Sequence, residues 1–191
     1  MTGYVCDDYR RLMADTDRTH REALNAHFAT TSASERDTLT GTLRNLRAVV
    51  AWKLAGLDDE KAKRSVVDSA TTLLGIVHHL AWVEAWWFQE VFAGEEVEYP
   101  FVWGAGSDAE FHMTDDDTIE SILDVYERNV IRSNEIVGAA PDLDATVEAN
   151  DTEYSLRWIL VHMIDETARH AGHMDIIREQ VDGATGYLPE R

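Results

Sequence analysis

Proline is almost absent from this chain, and its absence constrains the fold more than any other feature. Only Pro100, Pro141 and Pro189 occur among 191 residues, so the remainder consists of long segments that no proline interrupts. In these segments apolar residues recur every three or four positions, which is the period of an amphipathic α-helix. The sequence therefore predicts an all-α protein.

Five helices are expected from this period and from the residues that begin and end helices. Ser34 and Ser155 are suited to cap two of them, and Gly56, Gly94 and Gly183 to end three. Four helices of about 20 residues, with one more at the N-terminus, predict a four-helix bundle over 35–186. Residues 1–34 would form a helical extension and 187–191 a tail. The predicted helices cover approximately 4–29, 35–56, 70–93, 117–139 and 155–182.

The charge balance excludes several partners. The chain carries 36 acidic and 17 basic residues, a net charge of -19, whereas binding to nucleic acid or to anionic lipid requires clustered Lys and Arg. No apolar run is long enough for a membrane span, and the N-terminal residues lack the apolar segment of a signal peptide. With a single cysteine, Cys6, these features predict a cytoplasmic protein without a disulfide.

The last predicted helix contains "HMIDETARHAGHMDIIRE" over residues 162–179. Its inward stripe is apolar at both ends and polar in the middle, where Glu166 and His170 lie one above the other. A buried carboxylate without a partner is costly, so a metal ion or a positive group should compensate it. Without that partner, exchanging Glu166 for Gln would keep or raise stability. The stripe is Ile159, Met163, Glu166, His170, His173 and Ile177.

The third helix has a matching stripe in which His79 lies between Ile76 and Val83, while His78 points about 100° away. If the two helices pack face to face, His79 can meet Glu166 and His170. Two histidines and a carboxylate with room for water make an open zinc-type site, which would also suit iron, nickel or manganese.

Other interpretations of these residues remain open. His79 could be a core histidine bonded to a backbone carbonyl, and Glu166 could pair with Arg169 or His170. His162 is expected at the rim of the site. The chain has no H-E-x-x-H, no Gly-rich phosphate loop and no G-x-S-x-G, which argues against the enzymes that depend on those motifs.

Aromatic residues supply a further expectation. Trp86 shares the face of His79 and could form a wall of its pocket, whereas Trp82 could lie in a dimer contact. Residues 99–103 are apolar for a loop, which suggests a lid, an interface or ordinary packing. Exposed apolar surface of this extent predicts a homodimer.

Two segments carry a resemblance to a known family. "LLGIVHHLAWVEAWWF" and "SLRWILVHMIDETARHAGHMDIIREQVDGATG" resemble the metal-binding helices of the DinB/YfiT-like superfamily, and most of all its actinobacterial branch related to mycothiol-dependent maleylpyruvate isomerase. The resemblance covers about 35–186 and places His79, Glu166 and His170 at the metal-ligand positions. It implies a DinB-like four-helix bundle with one divalent metal ion, Zn2+ first and Ni2+, Fe2+ or Mn2+ as alternatives.

The resemblance also implies a class of reaction. The chain would be a thiol S-transferase or isomerase, with mycothiol as co-substrate, a small electrophile as the second substrate and the thiol activated at the metal. In that mechanism His173 or Asp175 could orient a ligand. Arg178 could hold a carboxylate of thiol or substrate unless it forms a surface salt bridge. Two other functions remain open: a non-catalytic metal-binding protein of stress or detoxification, and a metal-dependent hydrolase.

Overall fold

A computed structural model describes residues 32–69, 71–102, 109–111 and 113–186. The predicted helix at 4–29, Trp103 and the tail at 187–191 lie outside this part of the chain. So do His20, His27 and His112, which were expected to be surface residues.

Helices dominate the described residues, which confirms the predicted all-α class. Helix α1 covers Glu35–Trp52, α2 Asp59–Ala62, α3 Leu73–Glu84, α4 Ile119–Ala139 and α5 Leu156–Asp182. Helix α3 continues directly as a π-helix over Ala85–Phe92, and a 3-10 turn covers Ala109–Phe111. Strands β1 (Thr146–Ala149) and β2 (Thr152–Ser155) form the one sheet in the described part.

Three of the predicted helix ends are set by residues that the sequence indicated, but the prediction that Gly56 ends α1 is wrong, because the helix already ends at Trp52. The Ser34 side chain accepts a hydrogen bond from the backbone N–H of Asp37 at the start of α1. Ser155 does the same for Trp158 at the start of α5. Gly183 adopts a left-handed conformation, with φ of 81°, directly after the end of α5, a conformation that costs glycine little because it has no Cβ.

Helix α3 packs along α4, α1 packs along α5, and α3 also contacts α5. The buried apolar residues divide into two clusters. One contains Ile76 and Leu80 of α3 with Met174 of α5. The other contains Val83 of α3 with Met163 of α5. His79 and Glu166 therefore lie where one apolar cluster gives way to the other.

Three local features were not predicted. In the segment 140–154, β1 and β2 form a hairpin in which Val147 pairs with Tyr154, and its turn residues Asn150 and Asp151 have φ of 52° and 59°. Positive φ at both turn positions matches the twist of the strands. The second feature is the π-helix after α3. The third is the short helix α2, which Asp58 caps.

None of the helices in the described ranges is both long and apolar enough to cross a membrane.

Candidate metal site

Three side chains from α3 and α5 converge on one point. The Nε2 atom of His79 lies 3.1 Å from Oε1 of Glu166, and the Nε2 atom of His170 lies 3.2 Å from the same oxygen. One potential ligand atom from each residue falls within 4.8 Å of the others. The structure thus brings together the three residues that the sequence indicated as ligands.

The helical register explains this convergence. Glu166 and His170 are four residues apart on α5, so their side chains lie on the same face. His79 faces them from α3. Its side chain is 9% exposed, that of His170 11% and that of Glu166 18%, so the three groups are largely shielded from solvent but not sealed.

The histidines change the acidity of the carboxyl group. The hydrogen bond to His170 and, second in size, the hydrogen bond to His79 lower the pKa of Glu166 well below its usual range. Burial acts in the opposite direction. Glu166 is therefore ionised at neutral pH and supplies one negative charge to the cluster. Two neutral imidazoles and one carboxylate would leave a bound divalent cation with a net positive charge, which would favour a further anionic ligand.

A bound cation would determine which ring nitrogen of each histidine carries the proton. A nitrogen that binds a metal must keep its lone pair, so the proton would lie on the other nitrogen. The hydrogen bonds to Glu166 require the proton on Nε2, so a cation on Nε2 would move it to Nδ1. The Nδ1 atoms of His79 and His170 are both buried and have no hydrogen-bond partner among the described residues. Three protein donors are the number found in catalytic zinc sites, whereas structural zinc sites have four.

One wall of the site comes from a loop. The ring of Phe111 stacks on His79, with centroids 4.4 Å apart and an angle of 14° between the planes. The same ring lies 5.9 Å from that of His170. Phe111 therefore covers one side of the imidazole pair with apolar surface.

His78 turns away from the cluster, as the helical period predicted. Trp82 donates a hydrogen bond from Nε1 to His78 Nε2 over 3.0 Å. His78 must then carry its proton on Nδ1, which lies 2.7 Å from the backbone oxygen of Glu110. Burial lowers the pKa of His78, so the neutral ring is favoured in this environment.

The described part of the apolar loop packs on α3. The rings of Tyr99 and Phe101 lie 5.6 and 6.2 Å from that of Trp82, and Phe101 also contacts His78. Trp86 is partly buried beside Trp87 in the second apolar cluster. A lid, an interface and a pocket wall therefore remain predictions for these residues.

His162 lies one turn before Glu166, within an aromatic group. Its ring stacks on Trp158 at 5.0 Å with 4° between the planes and contacts Trp87 edge-on at 4.8 Å. This stacking orients His162 towards the second apolar cluster.

His173 and Arg178 occupy different environments. His173 is exposed, and its ring lies 5.5 Å from that of His170. Arg178 is buried and donates to the backbone oxygens of Lys53 and Ala55 over 2.7 and 3.0 Å, and to both carboxylate oxygens of Asp182. A substrate carboxylate would have to displace at least one of these partners, so a substrate-binding role for Arg178 stays a prediction.

Most of the chain matches a known protein family. Residues 38–183 match the family model of the mycothiol S-transferases. The chain belongs to this family. The predicted relation to DinB-like proteins of the mycothiol-dependent branch is thereby confirmed. Neither the curated proteins nor the solved structures gave a match.

Glu110 and Phe111 are the residues near the site that the sequence did not indicate. They lie in a segment without helical period, more than 30 residues from His79 along the chain, and no motif marks them. Glu110 Oε1 lies 3.9 Å from Nδ1 of His79.

Proposed function

We propose that the chain is a metal-dependent S-transferase or isomerase that uses a low-molecular-weight thiol of the mycothiol type. In this proposal His79, Glu166 and His170 hold one divalent ion, with zinc favoured and nickel, iron and manganese as alternatives. The observation that carries it is the convergence of two imidazole nitrogens on one carboxylate oxygen between α3 and α5. Membership of the mycothiol S-transferase family supports the thiol.

The protein residues fix the ligand set before any substrate binds. The i, i+4 spacing aligns Glu166 with His170, and Phe111 holds the ring of His79 by stacking. Because the site lies between two apolar clusters, its charges interact more strongly than they would in water. The three side chains therefore need little further ordering when a metal ion binds.

A bound divalent cation would stabilise the ionised form of a thiol at neutral pH. The thiolate sulfur then attacks an electrophilic carbon of the second substrate. In a substitution, such as that of an aryl halide, a new S–C bond forms and the leaving group departs with its electron pair. In an addition to an α,β-unsaturated carbonyl compound no group leaves, and the enolate that forms takes up a proton. In an isomerisation, the thiol is later expelled from the same adduct.

His173 is our candidate for handling the thiol proton. Its ring is exposed and lies edge-on to that of His170, so it can accept a proton at the open side of the site and pass it to water. Asp175, the alternative to His173 for orienting a ligand, forms an ion pair with Lys53.

The proposal is tested with the full chain, stripped of metal by a chelator and then reloaded with zinc. Mycothiol conjugation to a panel of electrophiles, including activated aryl halides and α,β-unsaturated carbonyl compounds, is followed by absorbance. We expect turnover that requires both zinc and thiol. The variant His173→Ala should retain zinc and lose activity by about 10²-fold or more, the usual contribution of a general base.

The other functions give different results. Zinc-dependent turnover of esters or amides without thiol would indicate a hydrolase using bound water. Zinc bound at one ion per chain with no turnover of any electrophile would indicate a non-catalytic metal-binding protein.

A further inference from the structure

The two nitrogens of His79 face different carboxyl groups. Nε2 lies 3.1 Å from Oε1 of Glu166, and Nδ1 lies 3.9 Å from Oε1 of Glu110. This Nδ1 atom is buried and has no hydrogen-bond partner within the described ranges. The Glu110 side chain is 20% exposed, so it is largely shielded from solvent.

A cation on Nε2 would place the ring proton on Nδ1, where it needs an acceptor. At 3.9 Å the Glu110 carboxylate is too far for a hydrogen bond, which requires about 3.2 Å or less. It is nevertheless the facing acceptor, and a side-chain shift of less than about 1 Å closes the gap. Histidines that bind metals commonly donate their second N–H to such a carboxylate, which fixes the tautomer and the orientation of the ring.

The segment that carries Glu110 is held firmly against α3. The Glu110 backbone oxygen is the acceptor for His78, whose tautomer Trp82 determines. The next residue, Phe111, stacks on His79. Its backbone oxygen also approaches Gly75 so closely that a Cβ there would lie 2.7 Å from it. Because these contacts fix the backbone at Glu110 and at the residue that follows it, the side chain of Glu110 starts from a fixed point close to Nδ1.

We propose that Glu110 is a positioning residue of the metal site, whose carboxylate accepts the Nδ1–H of His79 and so presents Nε2 to a divalent cation. The inference rests on the proposed metal site. It assigns the loop over Ala109–Phe111 a part in binding the ion, although that loop supplies no ligand to it.

The inference is tested by measuring the zinc affinity of the full metal-free chain in competition with a chromophoric chelator. We expect Glu110→Ala to weaken binding by about 10- to 100-fold, as is usual for loss of such a partner. Glu110→Gln should lose less, because its amide oxygen still accepts the proton but carries no charge. The matched control is Asp116→Ala, an exposed acid of the same connection, which should bind as the wild type does.

A second measurement separates positioning from folding. In the zinc-loaded wild type, 15N-resolved NMR should show a protected Nδ1–H on His79, and Glu110→Ala should lose this protection. If Glu110 only supported the loop, its replacement would lower the thermal stability of the metal-free chain and leave zinc affinity unchanged. That result would overturn the inference.

The outcome also separates the inference from the function on which it rests. If the wild type binds no zinc, cobalt or nickel, the proposed metal site is wrong, and so is the role of Glu110. A different result would concern Glu110 alone. If the wild type binds zinc and His79→Ala does not, but Glu110→Ala has the same zinc affinity as Asp116→Ala, the metal site is supported and only the assignment of Glu110 is wrong.

Discussion

The Nε2 atom of His79 lies 3.1 Å from a carboxylate oxygen of Glu166, although 87 residues separate the two along the chain. The contact joins α3 to α5 at the level where the two apolar clusters meet. Side chains at that level would ordinarily be apolar. A polar contact there, with His170 completing it, indicates that the position serves chemistry as well as packing.

Replacing His79 by Ala should abolish stoichiometric metal binding. Loss of one of the three proposed ligands would remove both a bond to the ion and the partner that orients Glu166. Elemental analysis should find about one zinc per chain in the wild type and less than about one tenth of that in the variant. The control is His173→Ala, which removes an exposed histidine of the same region and should retain the metal. Full retention by His79→Ala would remove His79 from the site.

Replacing Glu166 by Gln should weaken zinc binding by about 10- to 100-fold, because the shape is kept and the negative charge is lost. The observed contacts also revise the expectation for the metal-free chain. The carboxylate is ionised and bonded by two histidines, so Gln should lower the free energy of unfolding by about 1–2 kcal/mol, not raise it.

Zinc titration and thermal melts of the two metal-free forms check both parts. Asp165→Asn is the control, since Asp165 directly precedes Glu166 on α5, is exposed and pairs with Arg169. Equal zinc affinity in Glu166→Gln and wild type would rule out Glu166 as a ligand.

The sequence was sufficient for the parts of the fold that depend on helical period. Ser155 and Gly183 mark both ends of α5 because capping and left-handed termination are local properties of the chain. His79 and Glu166 could be paired because each interrupts an apolar stripe. The period gives the face of each helix, and packing the apolar faces together leaves few other ways for two buried polar groups to be satisfied.

Features that depend on non-local contacts or on unusual backbone could not be predicted in this way. Glu110 reaches the site through a loop whose path is fixed by tertiary contacts with His78 and Gly75. The hairpin was missed because its turn is Asn150-Asp151, where Asn-Gly would have been the strong signal. The π-helix over Ala85–Phe92 has no sequence signature distinct from that of an α-helix.

Gly75 should be intolerant of any side chain. A Cβ there would lie 2.7 Å from the backbone oxygen of Phe111 and 3.0 Å from the Thr72 hydroxyl. We expect Gly75→Ala to lower the free energy of unfolding by about 1–3 kcal/mol, as overpacking does. At Gly138 of α4 an added Cβ meets nothing within 4 Å, so Gly138→Ala should instead stabilise by about 0.5–1 kcal/mol. Urea denaturation of both variants is the measurement, and destabilisation of equal size in the two would refute the close approach at Gly75.

The chain is expected to be a homodimer, and α5 offers an apolar surface in addition to Trp82 and the 99–103 loop. Trp158 and Val161 of α5 are 45% and 50% exposed and lie three residues apart on one face. Multi-angle light scattering at micromolar concentration should give twice the 21.6 kDa chain mass. Substituting Ser at both positions should shift the protein towards the monomer, because apolar anchors dominate such contacts. Val67→Ser, at an exposed apolar residue elsewhere, is the control. A wild type of single-chain mass would contradict the prediction.

The last prediction concerns the ion pair that Arg178 forms with Asp182. Hydrogen bonds from Arg178 lower the pKa of Asp182 below the value of about 3.9 expected in the unfolded chain. The stabilisation is therefore complete above about pH 4 and is lost as the pH falls through the lower pKa of the folded state. Asp182→Asn should cost about 0.5–1.5 kcal/mol at pH 7, since the pair is partly screened, and clearly less at pH 3.

Urea denaturation of wild type and variant at both pH values isolates this contribution, because the other titrating groups cancel in the difference. Asp165→Asn is the matched control, since the side chains of its pair with Arg169 are 62% and 58% exposed and such pairs contribute well under about 1 kcal/mol. A cost of Asp182→Asn that is the same at pH 3 and pH 7 would show that the charge of Asp182 does not contribute. Arg178 would then be held by the backbone oxygens of Lys53 and Ala55 alone, leaving part of its guanidinium available for a substrate carboxylate.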